Sequence, residues 1–119
     1  TVQKYSLETY DVNDFTRILF ESLDKSIMNL SPVVKKEYKK LYVAYKLDTN
    51  FVDIVFQKQR LRISINMKFS EINDPNGICK DITGLGRWGN GDVELFMEHQ
   101  DELDQIMEIV KQSFDAQAE

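Results

Sequence analysis

The sequence predicts an α+β domain in which helices pack on one face of a four-stranded antiparallel sheet. Near both ends of the chain, apolar residues recur every three or four positions, as they do in amphipathic helices. In the middle of the chain they alternate with polar residues, which is the pattern of half-buried strands. The connections between these middle segments are short, and short connections favour antiparallel pairing.

Length and composition agree with one globular domain. The chain has 119 residues, of which 42% are hydrophobic and 29% are charged, as in ordinary soluble proteins. No apolar run approaches the roughly 20 residues of a membrane span, and no secretory signal pattern is present. With a single cysteine, Cys79, the chain cannot form an internal disulfide, so we expect a reducing, cytoplasmic location. We expect residues 1–10 to be an arm or linker and residues 11–119 to form the domain.

Three helices are predicted. The first begins after a cap at Asp11 or Asn13 and ends near residue 29. The second is short and spans residues 32–40, because serine followed by proline is a typical helix start. The third begins at a cap provided by Asp101 and ends near residue 114.

Four strands are predicted, at residues 42–46, 51–56, 60–67 and 92–97. The third gives the clearest pattern, because apolar side chains alternate strictly with polar ones. The polar set consists of Arg60, Arg62, Ser64 and Asn66. We therefore expect one face of this strand to be buried and the other to meet water.

A glycine-rich segment precedes the last strand. Four of the five glycines are Gly84, Gly86, Gly89 and Gly91, and the only tryptophan, Trp88, lies among them beside Arg87. Glycine clusters mark backbone that turns sharply or that another group approaches closely. The segment can aim several backbone N–H groups at an anion, or it can be a tight loop that places Trp88 on the core. Its spacing is not the dinucleotide fingerprint, because it precedes a strand and does not open a helix.

Charge is unevenly distributed along the chain. Residues 32–68 carry nine basic and three acidic residues, a net charge of +6, whereas the rest carries six basic and 17 acidic, a net charge of −11. A basic middle is compatible with an anionic partner, although it can also simply balance the acidic helices around it.

Residues 15–114 resemble a bacterial and archaeal domain-of-unknown-function family, number 5655. The resemblance rests on five motifs: Tyr42-x-x-Tyr45-Lys46, Asn50-Phe51-Val52-Asp53-Ile54, Lys58-x-Arg60-Leu61-Arg62, Asp74-Pro75-x-Gly77, and Asp81-Ile82-x-Gly84-x-Gly86-x-Trp88-Gly89-x-Gly91-Asp92. It implies a short stand-alone protein or a C-terminal partner of a nuclease-like or restriction-like module. Longer members are labelled "predicted transport protein", a label that fits poorly with a chain lacking an apolar span. The resemblance implies no catalytic residues.

The leading hypothesis is a non-enzymatic accessory domain that binds an anionic partner, such as nucleic acid, without a cofactor or metal. The expected ligand-binding residues are Lys46, Tyr45, Asp53, Arg60, Arg62, Arg87 and Trp88, with the backbone of Gly84, Gly86, Gly89 and Gly91. We expect the polar row of the third strand and the glycine segment to open onto one recess. The simpler alternative is a solvated sheet face, or one covered by a helix with the arginines paired to Asp53 and Asp92.

Two other classes remain open. A protein–protein or dimerisation module would show an exposed apolar patch, and a neighbouring domain of a longer chain is one such partner. A small enzyme would need a pocket that combines Asp53 or Asp92 with Arg87, or Asp53, Asp81 and Asp92 around Mg²⁺. A catalytic role for His99 or Cys79 is less favoured, and one cysteine with one histidine cannot supply a four-ligand zinc site.

Overall fold

In the part of the chain that the structure describes, six antiparallel strands form one sheet, and two α-helices pack on one of its faces. The computed structural model describes residues 4–85 and 91–118. The sheet order is β1-β2-β3-β4-β6-β5. The elements are α1 (Asp14–Met28), β1 (Lys35–Tyr38), β2 (Val43–Lys46), β3 (Asn50–Phe56), β4 (Leu61–Ile65), β5 (Lys80–Asp81), β6 (Val93–Met97) and α2 (Leu103–Ala118). The α+β class is confirmed, and the sheet has two more strands than the four predicted.

The additional strand β1 replaces the predicted second helix. Glu37 lies opposite Ala44 in β2, and the Lys39 N–H donates to the Tyr42 carbonyl to close the hairpin. A helix of nine residues is marginal in water unless tertiary contacts support it, and here pairing with β2 provides the alternative. Leu41 lies within this hairpin turn and is exposed. The other additional strand, β5, is two residues long and pairs with β6 at the far edge.

The core lies between the sheet and the two helices. The side chains of β4 alternate as predicted, so that Leu61, Ile63 and Ile65 are buried on the helix side. Helix α1 contributes one apolar stripe, and α2 contributes Ile106, Ile109 and Val110. We call this side of the sheet the inner face.

The helix ends follow local capping chemistry. Asn13 caps α1, because its Oδ1 accepts the Thr16 N–H at 2.9 Å. The predicted cap of α2, Asp101, instead lies within a short 3₁₀ turn, Gln100–Glu102. The Glu102 carboxylate accepts the N–H groups of Glu98 and His99, both at 2.7 Å, and this contact fixes the entry into the helix. Helix α2 also continues to Ala118, beyond the predicted end.

The first described residues are attached to the domain through Tyr10. Its ring packs against Tyr38 and Phe56, and its hydroxyl donates to the carbonyls of Lys39 and Tyr42. Burial raises the pKa of Tyr10 to about 12. The hydroxyl therefore remains a donor at neutral pH and ties this segment to the β1–β2 turn.

Candidate functional site

A row of polar side chains crosses the sheet on the face opposite α1 and α2, which we call the outer face. Asp53 of β3 lies opposite Ser64 of β4, and Ser64 lies opposite Glu94 of β6. Neighbouring strands are about 4.8 Å apart, so the backbones of Asp53 and Glu94 are separated by roughly 10 Å. Both carboxylates are deeply buried, with 3% of Asp53 and 1% of Glu94 exposed. Glu94 is absent from the predicted site, although its alternation with Val93 and Leu95 already placed it on this face.

Arg62 lies beside this row. It is paired in register with Val55 and Phe96, and its Nε is 3.8 Å from Oε1 of Glu94. Removing a carboxylate from water is costly unless a cation or hydrogen bonds compensate for the lost solvation. Arg62 therefore compensates for part of the solvation that the Glu94 side chain loses inside the sheet. The alternative of an internally paired arginine applies to Arg62, and Glu94 is one of its partners.

Arg60 is held on the outer face by two contacts. Its guanidinium carbon lies 3.7 Å from the centroid of the Phe96 ring, and its Nε donates to Oε1 of Gln57 at 2.7 Å. Stacking on an aromatic ring fixes the plane of a guanidinium group. Among the described residues, these contacts occupy one face of the Arg60 guanidinium group and its Nε–H. The terminal amino groups remain suitable for two parallel hydrogen bonds to a phosphate or carboxylate.

Lys46 occupies the same face near the β1 edge. Its ammonium pairs with Glu37, which also accepts the ammonium of Lys39 at 3.1 Å. Hydrogen bonds from Lys46 and Lys39 lower the pKa of the Glu37 carboxyl. Because these groups are solvent-accessible, the pairs contribute little stability, and the cluster keeps an excess of positive charge.

Tyr45 does not lie on the outer face. It alternates with Ala44 and Lys46 along β2, so its side chain enters the inner face, where it is fully buried. Its hydroxyl donates to Oδ1 of Asp24 at 2.6 Å, and Lys36 contacts the same oxygen at 3.0 Å. Burial and the neighbouring Asp24 charge raise the pKa of Tyr45. The expectation that Tyr45 joins the arginines is therefore wrong, and its role is to tie α1 to the sheet.

The glycine segment is described only at its ends. Gly84 and Gly91 both have positive φ, at +78° and +116°. A Cβ atom on Gly91 would lie 2.0 Å from the carbonyl oxygen of Ile65, so the segment returns directly against the end of β4. Gly86, Arg87, Trp88 and Gly89 lie outside the described residues. The prediction of one recess shared by Trp88 and the arginines stays a prediction.

Cys79 and His99, the two residues considered for nucleophilic or acid–base catalysis, have environments that give little support to such a role. Burial, together with Asp74, raises the pKa of the Cys79 thiol to about 12, which disfavours the reactive thiolate. His99 is exposed at the start of the 3₁₀ turn. Within residues 4–85 and 91–118, no three His, Cys, Asp or Glu side chains are grouped as metal ligands. In the same ranges, no helix is long and apolar enough to cross a membrane.

Comparison with known proteins gives two matches. Residues 8–117 match the profile described as Domain of unknown function (DUF5655). An uncharacterized protein of Haemophilus influenzae is 39% identical over 103 residues, which cover 87% of this chain. The chain spans 34% of the length of that relative. No solved structure matches the chain.

Proposed function

Because the chain belongs to the DUF5655 family, whose description assigns no activity, we propose from its own chemistry that it is an accessory domain that binds an anionic partner. The partner we favour is nucleic acid, and the binding surface is the outer face around Arg60, Lys46 and Arg62. We further propose that the domain serves a nuclease-like or restriction-like bacterial protein. The Haemophilus influenzae relative, about three times as long as the matched region, is compatible with such a multidomain setting.

The observation that carries the proposal is the stacked Arg60. Its guanidinium carbon lies over the Phe96 ring, 3.7 Å from the centroid, and its Nε is held by Gln57. An arginine fixed in this way loses less side-chain entropy on binding than a free one, and its planar donors match a phosphate group. An aromatic ring beside a cation is also a common element of surfaces that bind single strands.

The surrounding charges support the same partner. Lys35, Lys39 and Lys46 lie at the β1 side of the sheet around one exposed acid, Glu37. Of the two buried acids on this face, Glu94 lies 3.8 Å from Arg62, whose positive charge offsets the repulsion between Glu94 and a bound phosphate. The basic segment of the sequence, residues 32–68, supplies the first four strands.

Fluorescence anisotropy with labelled single-stranded and duplex oligonucleotides at two salt concentrations tests the proposal. We expect affinity to fall as salt rises, because phosphate contacts release counterions. Arg60→Ala should weaken binding and lower the magnitude of the log–log salt slope by ~0.7–0.9, the value of one phosphate contact. Lys111→Ala is the matched control, since Lys111 is exposed on α2 and paired with Asp115.

Three results would reject this function. They are no binding to either oligonucleotide at low salt, binding that salt does not change, and equal effects of Arg60→Ala and Lys111→Ala. Thermal melting of both variants would show that the fold is retained, because neither side chain lies in the core.

A further inference from the structure

Strand β1 forms one edge of the sheet in the part of the chain that the structure describes. The Lys39 N–H donates to the Tyr42 carbonyl where β1 turns into β2. In an antiparallel pair every second residue bonds to the partner strand, so Glu37 also directs its backbone groups toward β2. Lys36 and Tyr38 therefore direct their N–H and C=O groups away from β2, on the side where none of the described strands lies. This edge can pair with one more strand.

The charges of β1 select which strand can pair with it. Lys35 and Glu37 lie on the outer face, as Lys46 does. Lys36 lies on the inner face, where its ammonium pairs with Oδ1 of Asp24 at 3.0 Å. Lysines on an edge strand oppose pairing with most other strands. A strand that offers a carboxylate opposite Lys35 and a lysine opposite Glu37 removes that obstacle, and β1 itself has this pattern.

Two antiparallel registers keep most of a β1–β1 pair together, one with the twofold axis at Lys36 and one with the axis at Glu37. Residues that face each other across two strands share a sheet face, and their Cβ atoms are about 5 Å apart. An axis at Glu37 brings two carboxylates face to face, which is destabilising. An axis at Lys36 places Lys35 of each copy opposite Glu37 of the other, so that symmetry creates two ion pairs. The two Lys36 side chains meet at the axis, but each is neutralised by Asp24 of its own copy.

We propose that the domain forms a twofold dimer in which β1 pairs with β1 of a second copy, with the axis at Lys36. The two Lys36 residues exchange a pair of backbone hydrogen bonds, and the sheet continues from one copy into the other. A pair of four-residue strands buries less than the roughly 1,200 Å² of stable interfaces, so association is weak and reversible. The axis is perpendicular to the sheet, so both outer faces lie on one side and the clusters around Glu37 and Lys46 become neighbours.

Sedimentation velocity of the whole domain over a series of protein concentrations tests the dimer. We expect the average sedimentation coefficient of the wild type to rise with concentration. Lys35→Glu and Glu37→Lys should each remove this rise, because like charges then face each other at both contacts. A mixture of these two variants should dimerise again, since opposite charges face each other at both contacts of the mixed pair. Lys111→Glu is the matched control, because Lys111 is exposed on α2, and this variant should behave as the wild type does.

Disulfide cross-linking tests the position of the axis. In a Cys79→Ser background, Lys36→Cys places two thiols face to face, with Cα atoms about 5.5 Å apart. A disulfide spans that distance, so mild oxidation should give a covalent dimer. Glu37→Cys in the same background is the matched control, because residue 37 faces Lys35 of the second copy and lies two residues along the strand from its counterpart. It should cross-link far less. Thermal melting of each variant would show that the fold is retained.

Three results would overturn the inference. They are a wild type that stays monomeric at every concentration, a dimer that Lys35→Glu leaves intact, and preferential cross-linking through Glu37→Cys. A folded Lys35→Glu variant that is monomeric alone and dimerises when mixed with Glu37→Lys would support it. Because these measurements contain no nucleic acid, their outcome is independent of the anion-binding function proposed above.

Discussion

Replacing Gly91 with alanine should destabilise the fold far more than replacing Gly77 or Gly84. Gly91 has a φ of +116°, and a Cβ there would lie 2.0 Å from the Ile65 oxygen and 2.6 Å from the Asn66 Cα. Both contacts are to backbone, so no side-chain rotation can relieve them. Ile65 is in turn fixed by its pairing with Val93. The chain must therefore either shift β4 or move away from it.

The magnitude follows from two contributions. An unfavourable positive φ costs about 1–3 kcal/mol. Forcing extra atoms into a filled space costs typically about 1–3 kcal/mol more. The sum, roughly 2–6 kcal/mol, is a large part of the ~5–15 kcal/mol by which domains are stable.

Urea denaturation of the wild type and of three single variants measures this effect. Gly77→Ala and Gly84→Ala are matched controls, because their φ values are +64° and +78° and an added Cβ meets nothing within 4 Å. They should lose only about 1–2 kcal/mol, the cost of the left-handed backbone. If Gly91→Ala is no less stable than Gly84→Ala, the close approach of residue 91 to β4 is refuted.

Two further changes test buried groups. Tyr45→Phe removes the hydroxyl that donates to Asp24. The free energy of unfolding, measured in urea, should fall by about 1.5–3 kcal/mol, as for other hydrogen bonds to charged groups. A decrease below about 0.5 kcal/mol would contradict the buried contact. The Cys79 thiol has a pKa of about 12 in the fold against 9.0 ordinarily, so the unfolded chain binds fewer protons between these values. Its contribution to stability is therefore complete below pH 9 and is lost as pH rises toward 12. Cys79→Ala should make the decline in stability above pH 9 shallower, and an identical decline would exclude the thiol as its source. In the folded protein, labelling of the Cys79 thiol at pH 8 should be slow, and unfolding should accelerate it.

The candidate site was only partly predictable. Alternation in β3 and β4 placed Asp53, Arg60 and Arg62 on one face, and the structure has them there. Lys46 shares that face but pairs with Asn50, at the opposite end of the strands from Arg60. Tyr45 was misplaced, because Tyr45 and Lys46 are adjacent in β2 and adjacent residues of a strand point to opposite faces. The predicted site also omitted two residues of β6: Glu94, which lies beside Arg62, and Phe96, which lies beneath Arg60.

Local pattern alone determined the class of the fold, the first and last helices, and the strict alternation of β4. Those features depend on the spacing of apolar residues and on capping groups a few positions away, and both are visible in one dimension. The remaining features required the third dimension. The local pattern of residues 32–40 favoured a helix, and pairing with β2 overrode it to make residues 35–38 a strand. The pairing of Arg62 with Glu94 and the stacking of Arg60 on Phe96 join residues more than 30 positions apart. Only the order of strands, which inserts β6 between β4 and β5, brings them into contact.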